Sequence, residues 1–451
     1  MSGPSTLELA GAGPVSGGSG RVDATPRPTG LSGQGLLALD RQESRVRQWV
    51  AWAMIVCGLI GAYGVLWDIQ WHVDVGRDRF LTPPHLTLYV STSVRGLICL
   101  SMVLWSTWRY RQGTPELNER TTVQFLGFRG PLGVMVAGFG DVTLAASAPL
   151  DNYWHQLYGI DVSIWEPFHM MGLFGNTISI FGLFILLSSE FNRAVRRGEL
   201  SAPLGGFAPV MRTRETAPTA GVTSDSTWRH PTQLALACGF LVALSVLMIV
   251  LLPAAQGSKI VGHLFGVSLF IYPILLGILM PMGLSLAGFI MQSRYAATSV
   301  AVLMLAWRQL AIYTVPLVVE ALRQSEGLPY RPGTPVEFLM SRYLPPTILL
   351  GGIAVDWYRA WYRKQQQRPP GSTVWPEQPS GALMGLLATF PVMFTWWPYL
   401  MVSGSRSEAA RKALASLPTT TATSMLLGLL ISMGVGMLMA RFAQPLNRVL
   451  R

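Results

Sequence analysis

Residues 67–89 read Trp-Asp-Ile-Gln-Trp-His-Val-Asp-Val-Gly-Arg-Asp-Arg-Phe-Leu-Thr-Pro-Pro-His-Leu-Thr-Leu-Tyr and stand between two apolar runs. One run ends at Asp68, and the next opens at His85, directly after Pro83-Pro84. Proline suits the first turn of a helix, where its missing N–H goes unneeded, so the stretch is expected to join two helices at one surface. Asp68 and His72 are four apart and would share a helical face. His85 would meet them from the neighbouring helix. The pattern returns as Asp151, Trp154, His155, Gly159, Asp161, Pro167 and His169, and these two stretches hold four of the six histidines.

The rest of the chain says where that surface lies. Half of the residues are apolar and only 13% are charged, against roughly 25% in soluble domains. Several apolar runs reach the roughly 20 residues that cross a bilayer core. The fold class expected is therefore an all-α polytopic membrane protein with about ten spans: 49–68, 85–107, 131–150, 168–189, 233–254, 260–280, 296–320, 345–361, 381–402 and 421–441. Pro273 and Pro281 break the stretch 260–295, which suits either one bent helix or a helix with a re-entrant piece.

Residues 1–48, rich in Gly, Ser, Pro and Thr, are expected to be a disordered tail without a secretory signal. Residues 49–189 form a first half with two metal motifs. A polar linker, 190–232, leads to a six-helix second half, 233–451, of open role. The net charge of +11 comes mostly from loop arginines. It is read as a positive-inside signature and not as a nucleic-acid surface. Connections 108–130, 190–232 and 362–380 carry the Arg and Lys, whereas 151–167 has none. Both termini are thereby expected on the cytoplasmic side and both motifs on the outer face of the cell membrane, although 321–344 and 403–420 dissent mildly. The two motif-bearing hairpins share one orientation, as a parallel internal repeat would. Cys57, Cys99 and Cys238 lie in apolar runs with no Cys-x-x-Cys, which argues against thiolate metal sites.

Asp68, His72 and His85, and again Asp151, His155 and His169, supply one carboxylate and two imidazoles each. That set suits copper, zinc with an open position, or non-haem iron. The second motif has thirteen residues between its histidines in place of twelve, and carries Glu166 as an extra candidate ligand. The bland alternative, polar residues capping helices at the headgroup level, is weakened by the repetition. Trp71 and Trp154 are expected at that level. Met170 and Met171 are candidate soft ligands, and His263 and His230 are read as structural or solvated. Arg95 and Asp141 each lie ten residues inward from a motif residue, about 15 Å deep. Unpaired charges at that depth are costly, so the two are expected to pair. Arg308 and Asp356 are a second candidate pair.

The first stretch resembles the C subunit of the copper membrane monooxygenases, the particulate methane and ammonia monooxygenases. Asp68, Trp71, His72, Arg77, Asp78, Thr82, Pro83 and His85 all fall in that subunit's register. The resemblance covers about 25 residues strongly. It implies Asp68, His72 and His85 as copper ligands, dioxygen as oxidant, a small and poorly reactive substrate, partner subunits with a periplasmic copper domain, and an electron donor. This chain is much longer, and the second motif and second half lie outside the resemblance. Two other readings stand beside it. One is a non-catalytic metal-binding or transport protein. The other is a membrane zinc hydrolase with Asp78 or Asp161 as general base.

Overall fold

The computed structural model describes residues 33–76, 79–113, 121–159, 166–197, 199–200, 231–251, 261–264, 267–291, 293–331, 345–366, 377–404 and 418–449. Asp78, Asp161 and His230 lie outside them, as do residues 1–32 and 201–230 of the expected tail and linker.

The chain is an all-α membrane protein. Its helices are α1 (Gly33–Asp74), α2 (Pro83–Arg111), α3 (Leu132–Tyr158), α4 (Pro167–Arg196), α5 (Pro231–Leu251), α6 (Ile271–Met280), α7 (Leu286–Ile290), α8 (Ala296–Ser325), α9 (Ile348–Gln366), α10 (Glu377–Gly404) and α11 (Pro418–Val449). Among the described residues eight segments are long and apolar enough to cross a bilayer, and Gly381–Thr395 is a shorter apolar helix. The remaining expected span, 345–361, is realised as α9. It lacks the uniform apolarity of the others because Asp356 and Arg359 are buried within the protein.

Three boundaries differ from the sequence expectation. First, α1 begins at Gly33, so residues 33–48 are helical and not part of a structureless tail. A buried ionic network holds this extension. Arg193 meets Asp40 at 2.5 Å and Glu43 at 3.4 Å, Arg47 meets Glu43 at 2.6 Å, and Arg197 meets Asp40 at 2.9 Å. Glu190, also buried, accepts a 2.6 Å bond from Ser44. At 42 residues α1 is about 63 Å long, twice the roughly 30 Å core of a bilayer. Second, the span placed at 260–280 begins with a hairpin of two strands, Val261–Leu264 and Val267–Phe270. Helix follows over Ile271–Ile290, widened to a π-turn at Pro281–Ser285 because Pro281 offers no N–H to the regular ladder. Third, α4 runs on to Arg196, into the expected linker.

The expected Arg308–Asp356 pair gives way to another arrangement. Asp356 bonds Arg359 at 2.9 Å and accepts the N–H groups of Ala297 and Thr298 at 3.2 and 2.8 Å. It therefore caps the first turn of α8 from outside, while Arg308 lies about 16 Å further along that helix.

The helices that matter for the site come in two antiparallel pairs, α1 with α2 and α3 with α4. Helix α2 also packs on α3, and α1 packs on α4, α5 and α8. The α3–α4 seam is lined by small residues. A Cβ added at Gly133 would meet the Gly182 carbonyl oxygen at 2.5 Å, and one at Gly175 would meet the Leu144 nitrogen at 2.6 Å. Close backbone contact of this kind holds helices together in lipid, where apolar burial alone gives little drive. Arg95 and Asp141 do pair: Arg95 Nε donates to Asp141 Oδ1 at 2.7 Å, and Nη2 reaches Asn176 Oδ1 at 3.0 Å. That contact fixes α2 to α3 and α4 at mid-depth, below both motifs.

Candidate metal centres

Each triad is built by a helix end and the helix start that follows it. Helix α1 runs on to Asp74, so Asp68 and His72 sit on one face of its last turns. Pro83 opens α2 with Thr82 at its N-cap, which delivers His85 within the first turn against the same face. Helix α3 continues to Tyr158 and carries Asp151 and His155, and Pro167 opens α4 to deliver His169. Both clusters thus lie at the same end of the helical pairs.

The geometry is that of a convergent ligand set. Within each triad one donor atom per residue lies within 4.8 Å of the other two. His72 Nε2 and His85 Nε2 stand 3.5 and 3.2 Å from Asp68 Oδ1. His155 Nε2 and His169 Nε2 stand 3.3 and 3.5 Å from Asp151 Oδ2. Two ligands bonded at about 2.1 Å to one tetrahedral ion lie about 3.4 Å apart, so these separations match. Asp68 Oδ1, the oxygen that faces both imidazoles, is buried with no hydrogen-bond donor of good geometry, and in the second triad the buried atoms without one are His155 Nε2 and Asp151 Oδ1, the oxygen turned from the histidines. A buried carboxylate with lone pairs to spare beside two imidazole nitrogens suits a cation better than it suits a hydrogen-bond network.

One imidazole in each triad has its tautomer set by the backbone. His85 Nδ1 lies 3.0 Å from the Arg79 carbonyl oxygen, and His155 Nδ1 lies 3.2 Å from that of Gly159. A carbonyl can only accept, so Nδ1 is the donor, and in the neutral ring that leaves the Nε2 lone pair toward the aspartate. This is the usual outer contact of a metal-binding histidine. Gly159 can serve because its φ of 90°, open to glycine, lets the chain leave α3 and turn its carbonyl back. In sequence Gly159 stands out only as a member of the repeated pattern, and Arg79 contributes no side chain to the anchor, so neither role was legible there.

The surroundings of the two triads differ. Tyr89 lies 5.9 Å from His85, ring to ring, and Phe80 packs on Tyr89 at 5.2 Å. Trp71 is 1% exposed and part of the core. It is drawn in because α1 is surrounded by other helices. Trp154 is half-buried and packs on Tyr158 at 4.3 Å and Phe168 at 5.8 Å. Beyond α8, the Arg331 backbone N–H donates to the Asp74 carbonyl at 2.7 Å, so the second half reaches the end of the first motif helix. Glu166 stands at the N-cap position of α4 without a side-chain capping bond and does not join the second triad. His263 sits in the first strand of the 261–270 hairpin.

These features define an integral membrane protein with two Asp-His-His clusters, each with metal-binding geometry, at one end of two adjoining helical pairs. No family model, curated protein or solved structure matches the chain.

Proposed function

We propose that the chain is a copper-binding membrane protein that oxidises a small apolar substrate with dioxygen, in the manner of the copper membrane monooxygenases its first motif resembles. The observation that carries the metal part is the paired convergence of Asp68, His72 and His85 and of Asp151, His155 and His169, each within 4.8 Å. Copper is favoured over zinc and non-haem iron by the resemblance, since the ligand set suits all three. Bound copper supplies one-electron chemistry toward dioxygen. The chain's own part is to hold Asp68 and Asp151 as carboxylates and to aim Nε2 of the histidines at a common point. The Arg79 and Gly159 carbonyls keep the anchored rings from rotating.

The arginine-rich connections favour the outer face for the clusters, where an electron donor and partner subunits would dock. Transport of a cation inward from the first cluster is disfavoured, because the Arg95 guanidinium stands in that direction.

The test is metal analysis of the purified full-length protein, followed by product assays with and without dioxygen. Two copper equivalents per chain, falling to one in Asp68→Ala and to one in Asp151→Ala, are expected. Zinc at both sites would overturn the copper assignment. Copper retained without any dioxygen-dependent product would leave a metal-binding protein in place of an oxidase.

A further inference from the structure

At the end of the helical pairs away from the metal clusters, a small hairpin joins α2 to α3. Its strands, β1 (Thr122–Phe125) and β2 (Phe128–Pro131), pair antiparallel with Phe125 opposite Phe128. The two-residue turn between them is Leu126-Gly127, with φ of 49° and 80°. Positive φ at both positions is the turn that matches strand twist, and it normally takes Asn-Gly or Asp-Gly. A leucine there is conformationally disfavoured, so its side chain calls for another explanation.

The hairpin is fixed at its base and bare at its tip. Thr107 of α2 accepts the Arg129 N–H at 2.8 Å while its hydroxyl donates to the Val103 carbonyl at 2.7 Å, with the Arg129 carbonyl at 3.1 Å. Thr121 is buried and bonds Ser189 at 3.1 Å. Leu126, in contrast, is 81% exposed, and Phe125 and Phe128 are exposed beside it. The tip does not project away from the bundle. Phe125 packs edge-on against Phe139 at 5.6 Å, and Phe139 is itself an exposed residue two turns into α3. The outward faces of α2 and α3 here carry Leu97, Leu104, Phe139 and Val142, all exposed apolar side chains on membrane-spanning helices. Around the hairpin, Arg129 lies over the Tyr110 ring at 4.2 Å and Arg109 over Trp105 at 4.7 Å. Arginine with Trp and Tyr marks the headgroup level of a bilayer.

We propose that the β1–β2 hairpin is a membrane-inserting wedge, with its Phe125–Phe128 tip in the lipid leaflet beside α3 and Arg109, Arg111 and Arg129 set among anionic headgroups. The tip is continuous with the lipid-facing surface of α3, and its apolar end and basic flank match the two layers that a leaflet presents in that order.

The test uses the wild-type full chain in nanodiscs of mixed neutral and anionic phospholipid. A membrane-confined photoactivated carbene probe and, separately, aqueous hydroxyl radicals are each mapped by mass spectrometry. Carbene labelling on Phe125–Phe128 with little radical oxidation there is the expected result. Radical oxidation of the tip without carbene labelling would overturn the proposal in favour of a solvated hairpin. Labelling by neither probe would overturn it in favour of a tip covered by protein. As a second measurement, Leu126→Asp should lose carbene labelling at Phe125 and Phe128 and gain oxidation there. Unchanged labelling would count against a tip held in lipid by its apolar side chains.

Discussion

The two helical pairs carry the same triad but support it differently. In the first, Gly61 and Gly64 of α1 face side chains of α2: a Cβ at Gly64 would meet Leu88 Cδ2 at 3.2 Å. This pair is seated against α5 and α8 and encloses Trp71. In the second, backbone meets backbone along the small residues of α3 and α4, and Trp154 stays at the rim. One site therefore takes its rigidity from being surrounded, the other from a tight seam of its own. The histidines differ in a parallel way. In the first triad the better-buried, carbonyl-anchored ring is His85, delivered by the second helix. In the second it is His155, which shares a helix with its aspartate. The side chains of His85 and His155 are 15% and 16% exposed, against 33% for His72 and 38% for His169. A common ligand set is thus compatible with two ways of holding it.

The largest effect is expected where the two pairs are joined. Arg95→Gln leaves Asp141 buried and uncompensated, a loss of about 3–5 kcal/mol, and Asp141→Asn strands Arg95 at similar cost. Replacing both by apolar residues of similar volume should recover most of that loss, as read by thermal unfolding in detergent. If each single variant were as stable as the parent, the pair would not be what unites the two halves of the site. The α3–α4 seam gives a second contrast. Gly175→Val would drive a side chain into the Leu144 nitrogen and the Gly140 carbonyl, at a cost at or above the roughly 1–3 kcal/mol of ordinary overpacking. Metal at the second triad should be lost while the first keeps its equivalent. Gly64→Ala meets only side-chain atoms of Leu88 and Thr87, at 3.2–3.3 Å, which need shift by only a few tenths of an ångström, and should cost much less. Equal effects at the two glycines would erase the distinction between the pairs. Trp71→Ala should cost about 3–5 kcal/mol, as buried aromatic truncations do, and Trp154→Ala clearly less, because that ring is half outside.

Much of this was legible in the sequence, for reasons that also say why the rest was not. Apolar runs reveal spans because lipid tolerates few alternatives, and the four-residue step from Asp68 to His72, like that from Asp151 to His155, survives any error in the helix boundary. The depth of Arg95 and Asp141 was enough to pair them, since a lone charge there is so costly. The helical start at Gly33 was hidden because the contacts that secure it come from Glu190 and Arg193, about 150 positions away, and composition carries no trace of them. Asp356 was misassigned because its partners are Arg359, three residues on in its own helix, and two backbone N–H groups at the start of α8. The seam did leave a signal: Gly133, Ala137 and Gly140 face Gly175, Ser179 and Gly182 at helical spacing, the small-residue pattern of helices that meet in membranes. The carbonyl anchors left none, since every residue has a carbonyl.

Those anchors give the smallest effect and the sharpest comparison. If the ring tied to the backbone contributes more to binding, His85→Ala should weaken metal binding at the first triad more than His72→Ala does. At the second, His155→Ala should weaken it more than His169→Ala. Outer contacts to ligating histidines are commonly worth about 10–100-fold in affinity, so a gap near the lower end is expected within each triad, read by competition with a chelator at fixed pH. The order of importance is then reversed between the sites with respect to helix: the helix-start histidine dominates the first, the helix-end histidine the second. A model in which sequence position alone sets a ligand's weight predicts the same order at both. The reversed order would show that the backbone carbonyl, and not the place in the motif, decides which imidazole holds the ion.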